Sequence, residues 1–188
     1  MASVYNRLEG KGPLDGPGTS LCQDSASLRS RNLPEDLREW LNENELAQFV
    51  DEAVQQVSIA EMTPGRTPVW DILLGIITYS YAIGLYRSDE IEDSLNRNPR
   101  MNQVHTMAFG HAEPAAVLRG FRRANRNAIE LCLVDLFRSA LACIQERSRG
   151  YIVDTVNTGV DAAPGLLRDE ASARVQHAIE SDCWALEV

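Results

Sequence analysis

Lysine is almost missing from this chain: Lys11 is the only one among 18 basic residues, and the rest are arginine. Base composition alone produces such a bias, so the arginine count says little and the arginine positions say more. Cysteine is sparse and unpatterned, at positions 22, 132, 143 and 183. No C-x-x-C spacing is present, which excludes the usual zinc and dithiol redox frameworks. Cys132 and Cys143 fall inside an apolar helical run and read as small buried hydrophobes. There is no signal-peptide pattern, so disulfides are not favoured and a reducing cytoplasm is the expected compartment. A long uncharged apolar run is also absent. The most apolar stretch, Val69 to Tyr86, carries Asp71 and several polar side chains, and reads as a buried helix rather than a membrane span. Phosphate-loop glycines, clustered metal ligands and a nucleophile beside a base are missing too, which leaves no enzyme class to favour. His105 and His111 flank a turn with neither a placed nucleophile nor an orienting acid nearby, and read as surface or turn-stabilising residues.

What is present is ordinary globular chemistry: 188 residues, 44% apolar and 24% charged, enough for one domain with a core. The net charge of −9 argues against a protein coated in basic surface. The charge is unevenly distributed. From Arg97 to Arg126 there are six arginines and one acid, Glu113, a local charge of +5, while the remainder holds 12 bases and 26 acids. A basic island in an acidic chain implies a focused binding surface. The acidic patches around 35–52 and 89–93 read as solvated faces that would confine a polyanion to the island.

The order of elements reads as all-α. Residues 1–32 are rich in Gly, Pro and Ser with little apolar periodicity, which predicts an extended arm. A first helix is expected in NLPEDLREWL, with Pro34 in its first turn and Glu35 and Asp36 at its start. A second follows in ENELAQFVDEAVQQV, with Leu46, Phe49, Val50, Ala53, Val54 and Val57 as its apolar stripe. Thr67-Pro68 opens a third that runs to Tyr86 and is apolar nearly all round, so it should cross the centre of the fold. Ser88 is the expected cap of an acidic helix, SDEIEDSLNRN. PRMNQVHTM is a short helix and FGHAE a turn. Pro114 begins an arginine-rich helix, and Asn127 with Glu130 resembles a capping box that restarts the chain as NAIELCLVDLFRSALACIQER. There Ile129, Leu133, Leu136, Phe137, Ala140, Leu141 and Ile144 form the core surface. YIVDTVN reads as a short strand or an extended connection. APGLLRDEASARVQHAIESD predicts a last amphipathic helix with Leu166, Leu167, Val175 and Ile179 on its apolar side. Trp40 and Trp70 sit in apolar contexts and belong to the core, while Trp184 reads as a residue that docks back or anchors a partner.

The stretch EPAAVLRGFRRANR carries the chemistry. Arg119, Arg122, Arg123 and Arg126 are spaced i, i+3, i+4, i+7, which places them on one face of a helix. Arg97 and Arg100 lie on a neighbouring segment. Guanidinium groups suit phosphates and guanine edges through bidentate geometry. The competing reading is internal ion pairing with Glu90, Glu92 and Asp93, although exposed pairs contribute only about 0–1 kcal/mol each.

From Leu33 to about Leu141 the chain resembles the N-terminal domain of bacterial insertion-sequence transposases of the InsH type. The resemblance rests on collinear features: LPEDLREWLNENELAQFVDEAVQQV, then PGRTPVWDILLGIITYSYAIGLYRS, then SDEIEDSLNRNP, and last the Phe121-Arg122-Arg123 signature ending a helix-turn-helix-like element. Where that family reads Pro-Asp-His-x-Thr before its Phe-Arg-Arg helix, this chain has GHAEPAAVLRGFRR, and the loop presenting the helix differs accordingly. The resemblance implies DNA contact through Arg97, Arg100, Arg119, Arg122, Arg123 and Arg126. The family's catalytic domain is RNase H-like with three metal-binding acids. The 41 residues 148–188 that follow the last confident helix are too few for its sheet and flanking helices. Asp154 stands roughly where the family places its first catalytic Asp, but two-metal chemistry needs several converging carboxylates.

These readings combine into one expectation. The chain is a compact multi-helix bundle with a helix-turn-helix-like element, divided as an arm (1–32), a transposase-like helical domain (33–147) and a divergent extension (148–188). It is expected to be a non-catalytic, transposase-derived DNA-binding protein without metal or cofactor, of terminal-repeat-binding or repurposed regulatory type. The alternative is a helical module that docks on an acidic protein partner or forms a homo-oligomer, having lost its DNA role.

Overall fold

A computed structural model describes residues 33–60, 67–97, 102–149 and 164–184. Seven α-helices are described: α1 (Glu43–Ala60), α2 (Pro68–Ala82), α3 (Ser88–Arg97), α4 (Asn102–Phe109), α5 (Pro114–Ala124), α6 (Arg126–Arg149) and α7 (Pro164–Trp184). No strand occurs among the described residues, so the all-α expectation holds. Residues 1–32, Arg100, Asp154 and the stretch 151–157 lie outside them. No described helix is long and apolar enough to cross a membrane.

The segment 33–41 is not the helix its composition implies. Asp36 is extended at its backbone and its carboxylate accepts from the Arg38 amide at 2.9 Å, so helical geometry begins after it as a single 3-10 turn, Leu37–Glu39. Asn42 then starts α1. Its Oδ1 accepts from the Glu45 amide at 3.0 Å, and Glu45 Oε2 accepts from the Asn42 amide at 3.1 Å. This reciprocal capping box leaves only a turn's length between two helix starts. Leu37 and Leu41 are still buried, which anchors the segment although it makes only a single turn.

Helix α2 runs through the middle, against α1, α4, α5 and α6. Its Leu73, Leu74, Ile76, Ile77, Tyr81 and Ala82 are all buried, as a helix apolar all round requires. It stops at Ala82, four residues short of Tyr86. Gly84 has φ +76, the Leu85 amide donates to Ser80 O at 2.8 Å, and the Gly84 amide donates to Tyr81 O at 3.4 Å. That pair of bonds is a Schellman ending, which needs a residue with positive φ just past the helix.

The stripe expected on α1 is buried at Leu46, Val50, Ala53, Val54 and Val57, with Phe49 half-buried; that on α6 is buried from Ile129 to Leu141. The tryptophans expected in the core, Trp40 and Trp70, pack against it while partly exposed. Helix α7 lies along α6 and touches α5, with Leu167, Ala171, Val175 and Ala178 buried; Leu166, expected inside, is 49% exposed.

Candidate nucleic-acid interface

Helix α5 is where the arginine row begins, and its boundaries decide the row's geometry. Glu113 is the N-cap and Pro114 the first residue, a position where the missing proline N–H costs nothing. Ala115, Leu118, Phe121 and Arg122 are buried. The helix ends at Asn125, not at Asn127 as the capping-box pattern implies. The Asn125 amide and side-chain Nδ2 both donate to Phe121 O at 2.9 Å, and its Oδ1 accepts from Trp70 Nε1 at 2.8 Å. One asparagine thus closes α5, holds Trp70 of α2 and passes the chain to α6, whose first residue is Arg126. The row of four arginines crosses this break.

The four side chains do not share a face. Arg122 is turned inward and is 1% exposed. Its Nη1 donates to the Asp182 carboxylate at 2.5 Å and to Ala178 O at 2.9 Å, and its Nη2 donates to Tyr86 O at 2.9 Å. The guanidinium also lies over the Tyr81 ring, 5.3 Å from its centre. Asp182 in turn accepts from the Ser88 amide at 2.9 Å and the Ser88 hydroxyl at 2.8 Å. The start of α3 is therefore capped by a carboxylate from α7, and Ser88 is the capped residue rather than the cap. A buried guanidinium paired and bonded this way has its charge compensated, and it is not available to a phosphate in this arrangement.

Arg126 is half-exposed and engaged: Nε donates to Glu130 at 2.8 Å, Nη1 to Gln176 Oε1 at 3.1 Å and Nη2 to Ser172 Oγ at 3.3 Å. Arg119 is partly exposed and Arg123 exposed, and neither forms an ion pair with a described residue. Arg97 is well exposed, with Nε donating to Asp93 O at 3.2 Å and the Asp93 carboxylate 4.0 Å away. Helices α3 and α5 run antiparallel. Ser88 shares Asp182 with Arg122, while the Glu92 carboxylate accepts from the Ala115 amide at 3.3 Å. Arg97 thus lies roughly 14 Å along α3 from Ser88, beyond the first turn of α5 and away from Arg123. Of the carboxylates expected to pair with these arginines, Asp93 does so with Arg97, while the row itself pairs with none of Glu90, Glu92 and Asp93. Its partners are Asp182 and Glu130.

Comparison of the chain with protein-family models, curated proteins and solved structures finds no match. The site is therefore read from its own chemistry.

A second buried arginine was not anticipated from the sequence. Arg174 of α7 is 4% exposed. It donates to Pro34 O at 2.6 Å, Glu35 O at 3.1 Å, Tyr81 O at 2.9 Å and the Glu170 carboxylate at 2.9 Å, and it lies 4.9 Å from the centre of the Phe137 ring. Both arginines carried a readable sign. Arg122 follows Ala115 and Leu118 at seven and four residues, and Arg174 follows Leu167 and Ala171 at seven and three. Asp182 follows Val175 and Ala178 at seven and four. Each charge falls on an apolar stripe, and charges on buried stripes require partners.

No group of three metal-ligating side chains occurs among the described residues. Burial pushes the Cys132 thiol up to about 12, which keeps it protonated and unreactive. Burial also pushes the Tyr81 phenol well above its ordinary range, opposed by the Arg122 charge. His111 lies on the exposed turn before α5, as expected. What the arrangement offers a ligand is guanidinium donors.

Proposed function

We propose that this chain is a non-catalytic helical binding domain of the transposase N-terminal kind, contacting DNA phosphates through a small face on α5 formed by Arg119 and Arg123. One observation carries the reading. In a molecule with 27 acids and 18 bases, most described arginines sit against a carboxylate; Arg119 and Arg123, one helical turn apart on α5, do not, and of the other arginines with described side chains only Arg168 on α7 shares that state among the ion pairs of described residues. Cations left unpaired amid surplus carboxylates are free to meet an external anion. The face is smaller than the spacing implies, so binding should be weak and mainly electrostatic. Two neutralised phosphates give a log–log salt slope of about −1.8. The test is duplex binding by the full chain across a salt series, beside Arg119→Ala/Arg123→Ala. Salt-sensitive binding lost in the double variant supports the reading, and a flat salt response sinks it.

A second reading has its own support. Arg122 and Arg126 are engaged within the fold and the net charge is −9, which suits a helical module that docks on an acidic protein or on a second copy. Under it, light scattering without nucleic acid shows an oligomer or a stable partner complex, and no duplex binding occurs at low salt.

A further inference from the structure

Helix α7 supplies Arg122 and Arg126 with what a phosphate backbone would supply. Asp182 places a carboxylate 2.5 Å from Arg122 Nη1, and Ala178 adds a carbonyl at 2.9 Å. Gln176 and Ser172 place oxygens 3.1 and 3.3 Å from the two terminal nitrogens of Arg126. The helix thus lays an anionic and oxygen-rich edge along the inner half of the arginine row. Its own hold on the bundle is unusual in kind. The buried residues of α7 are Leu167, Ala171, Val175 and Ala178 together with the charged Arg174 and Asp182. Two of the four apolar positions are alanines, which remove little apolar area from water. Ile179 packs against the core beside them and His177 meets the Tyr86 ring edge-on, and the rest of the docking rests on polar bonds, which an external polyanion competes for directly.

We propose that α7 is an internal cover of the arginine row: docked, it leaves only Arg119 and Arg123 of the row unengaged, and DNA displaces it to gain Arg122 and Arg126. This regulation rests on the DNA reading above.

The experiment uses the full chain. Amide hydrogen exchange is measured by mass spectrometry with and without a mixed-sequence duplex at low salt, and duplex affinity is measured across a salt series for wild type, Asp182→Asn and Ser172→Ala/Gln176→Ala. Displacement predicts faster exchange across 164–184 when duplex is added. Asp182→Asn, which weakens the hold without leaving a hole, should bind more tightly than wild type at low salt. A form with α7 displaced neutralises four phosphates instead of two, so its log–log slope is about −3.6 against about −1.8 for the two-arginine face, roughly a twelvefold larger loss of affinity between 50 and 200 mM salt. Ser172→Ala/Gln176→Ala, lying at exposed to half-buried positions, should shift the same way by a smaller factor. If Asp182→Asn loses helical signal, that second variant and the wild-type exchange still decide the matter. Duplex binding with unchanged or slower exchange over 164–184, and no gain of affinity in the variants, overturns the cover while leaving the two-arginine face intact. Absence of duplex binding by every form at low salt overturns the DNA reading itself.

Discussion

Arg122 and Arg123 are neighbours in sequence with opposite fates, and the contrast is measurable. Arg122→Ala leaves the Asp182 carboxylate, 7% exposed, without its cation, and leaves the Tyr86 and Ala178 carbonyls short of a donor. Breaking a buried pair from one side costs about 3–5 kcal/mol, so urea denaturation should place Arg122→Ala that far below wild type. Arg123→Ala has no described partner to lose and should stay within about 0.5 kcal/mol. A small effect of Arg122→Ala would mean that the pair adds nothing to the fold. At this scale the sequence was half legible. That Arg122, Arg174 and Asp182 sit on buried stripes follows from their spacing to apolar residues. That Arg122 meets Asp182, 60 residues later, does not follow, because local periodicity carries no information about which helices touch.

The helices themselves were legible wherever apolar period and end chemistry agreed. Pro68 and Pro114 open α2 and α5 as read, and the stripes of α1 and α6 are buried nearly as expected. The misreadings sit where a short polar side chain or a glycine overrides propensity: Asp36 and Asn42 reduce a helix to one turn, Asn125 breaks the arginine row, and Gly84 ends α2 early. Gly84 is the clearest to test. A Cβ there would lie 3.3 Å from Glu35 Cγ and 3.7 Å from Glu35 O, at φ +76. Gly84→Ala should therefore cost about 1–2 kcal/mol from the left-handed backbone alone, seen as a lowered Tm, whereas Gly120→Ala, with open space and helical backbone, should stabilise by about 0.5–1 kcal/mol. Equal effects would argue that the Schellman ending is not what sets the end of α2.

Across the whole molecule, burial leaves a pH signature. It raises the Tyr79, Tyr81 and Tyr86 phenols above their ordinary values, so the unfolded chain releases these protons first as pH rises. Stability is fully present below about pH 10, the unfolded value, and is lost above it. Chemical denaturation at pH 8 and pH 10.5 should show the decline. Tyr81→Phe should flatten it, and because the Tyr81 hydroxyl is buried without a hydrogen-bond partner among the described residues, should be neutral to stabilising by about 1 kcal/mol at pH 8. An undiminished decline in Tyr81→Phe would assign the effect elsewhere. The Arg174 clamp has a consequence of another kind. It joins the carbonyls of Pro34 and Glu35 to a side chain up to 140 residues downstream, and Ser88 waits on Asp182 across 94. Contacts of such sequence separation close the largest loops and form late. On the ribosome, then, α1, α2 and α6 have their apolar faces in hand well before the chain's first described turn can be fastened, and that fastening comes only when α7 has been made.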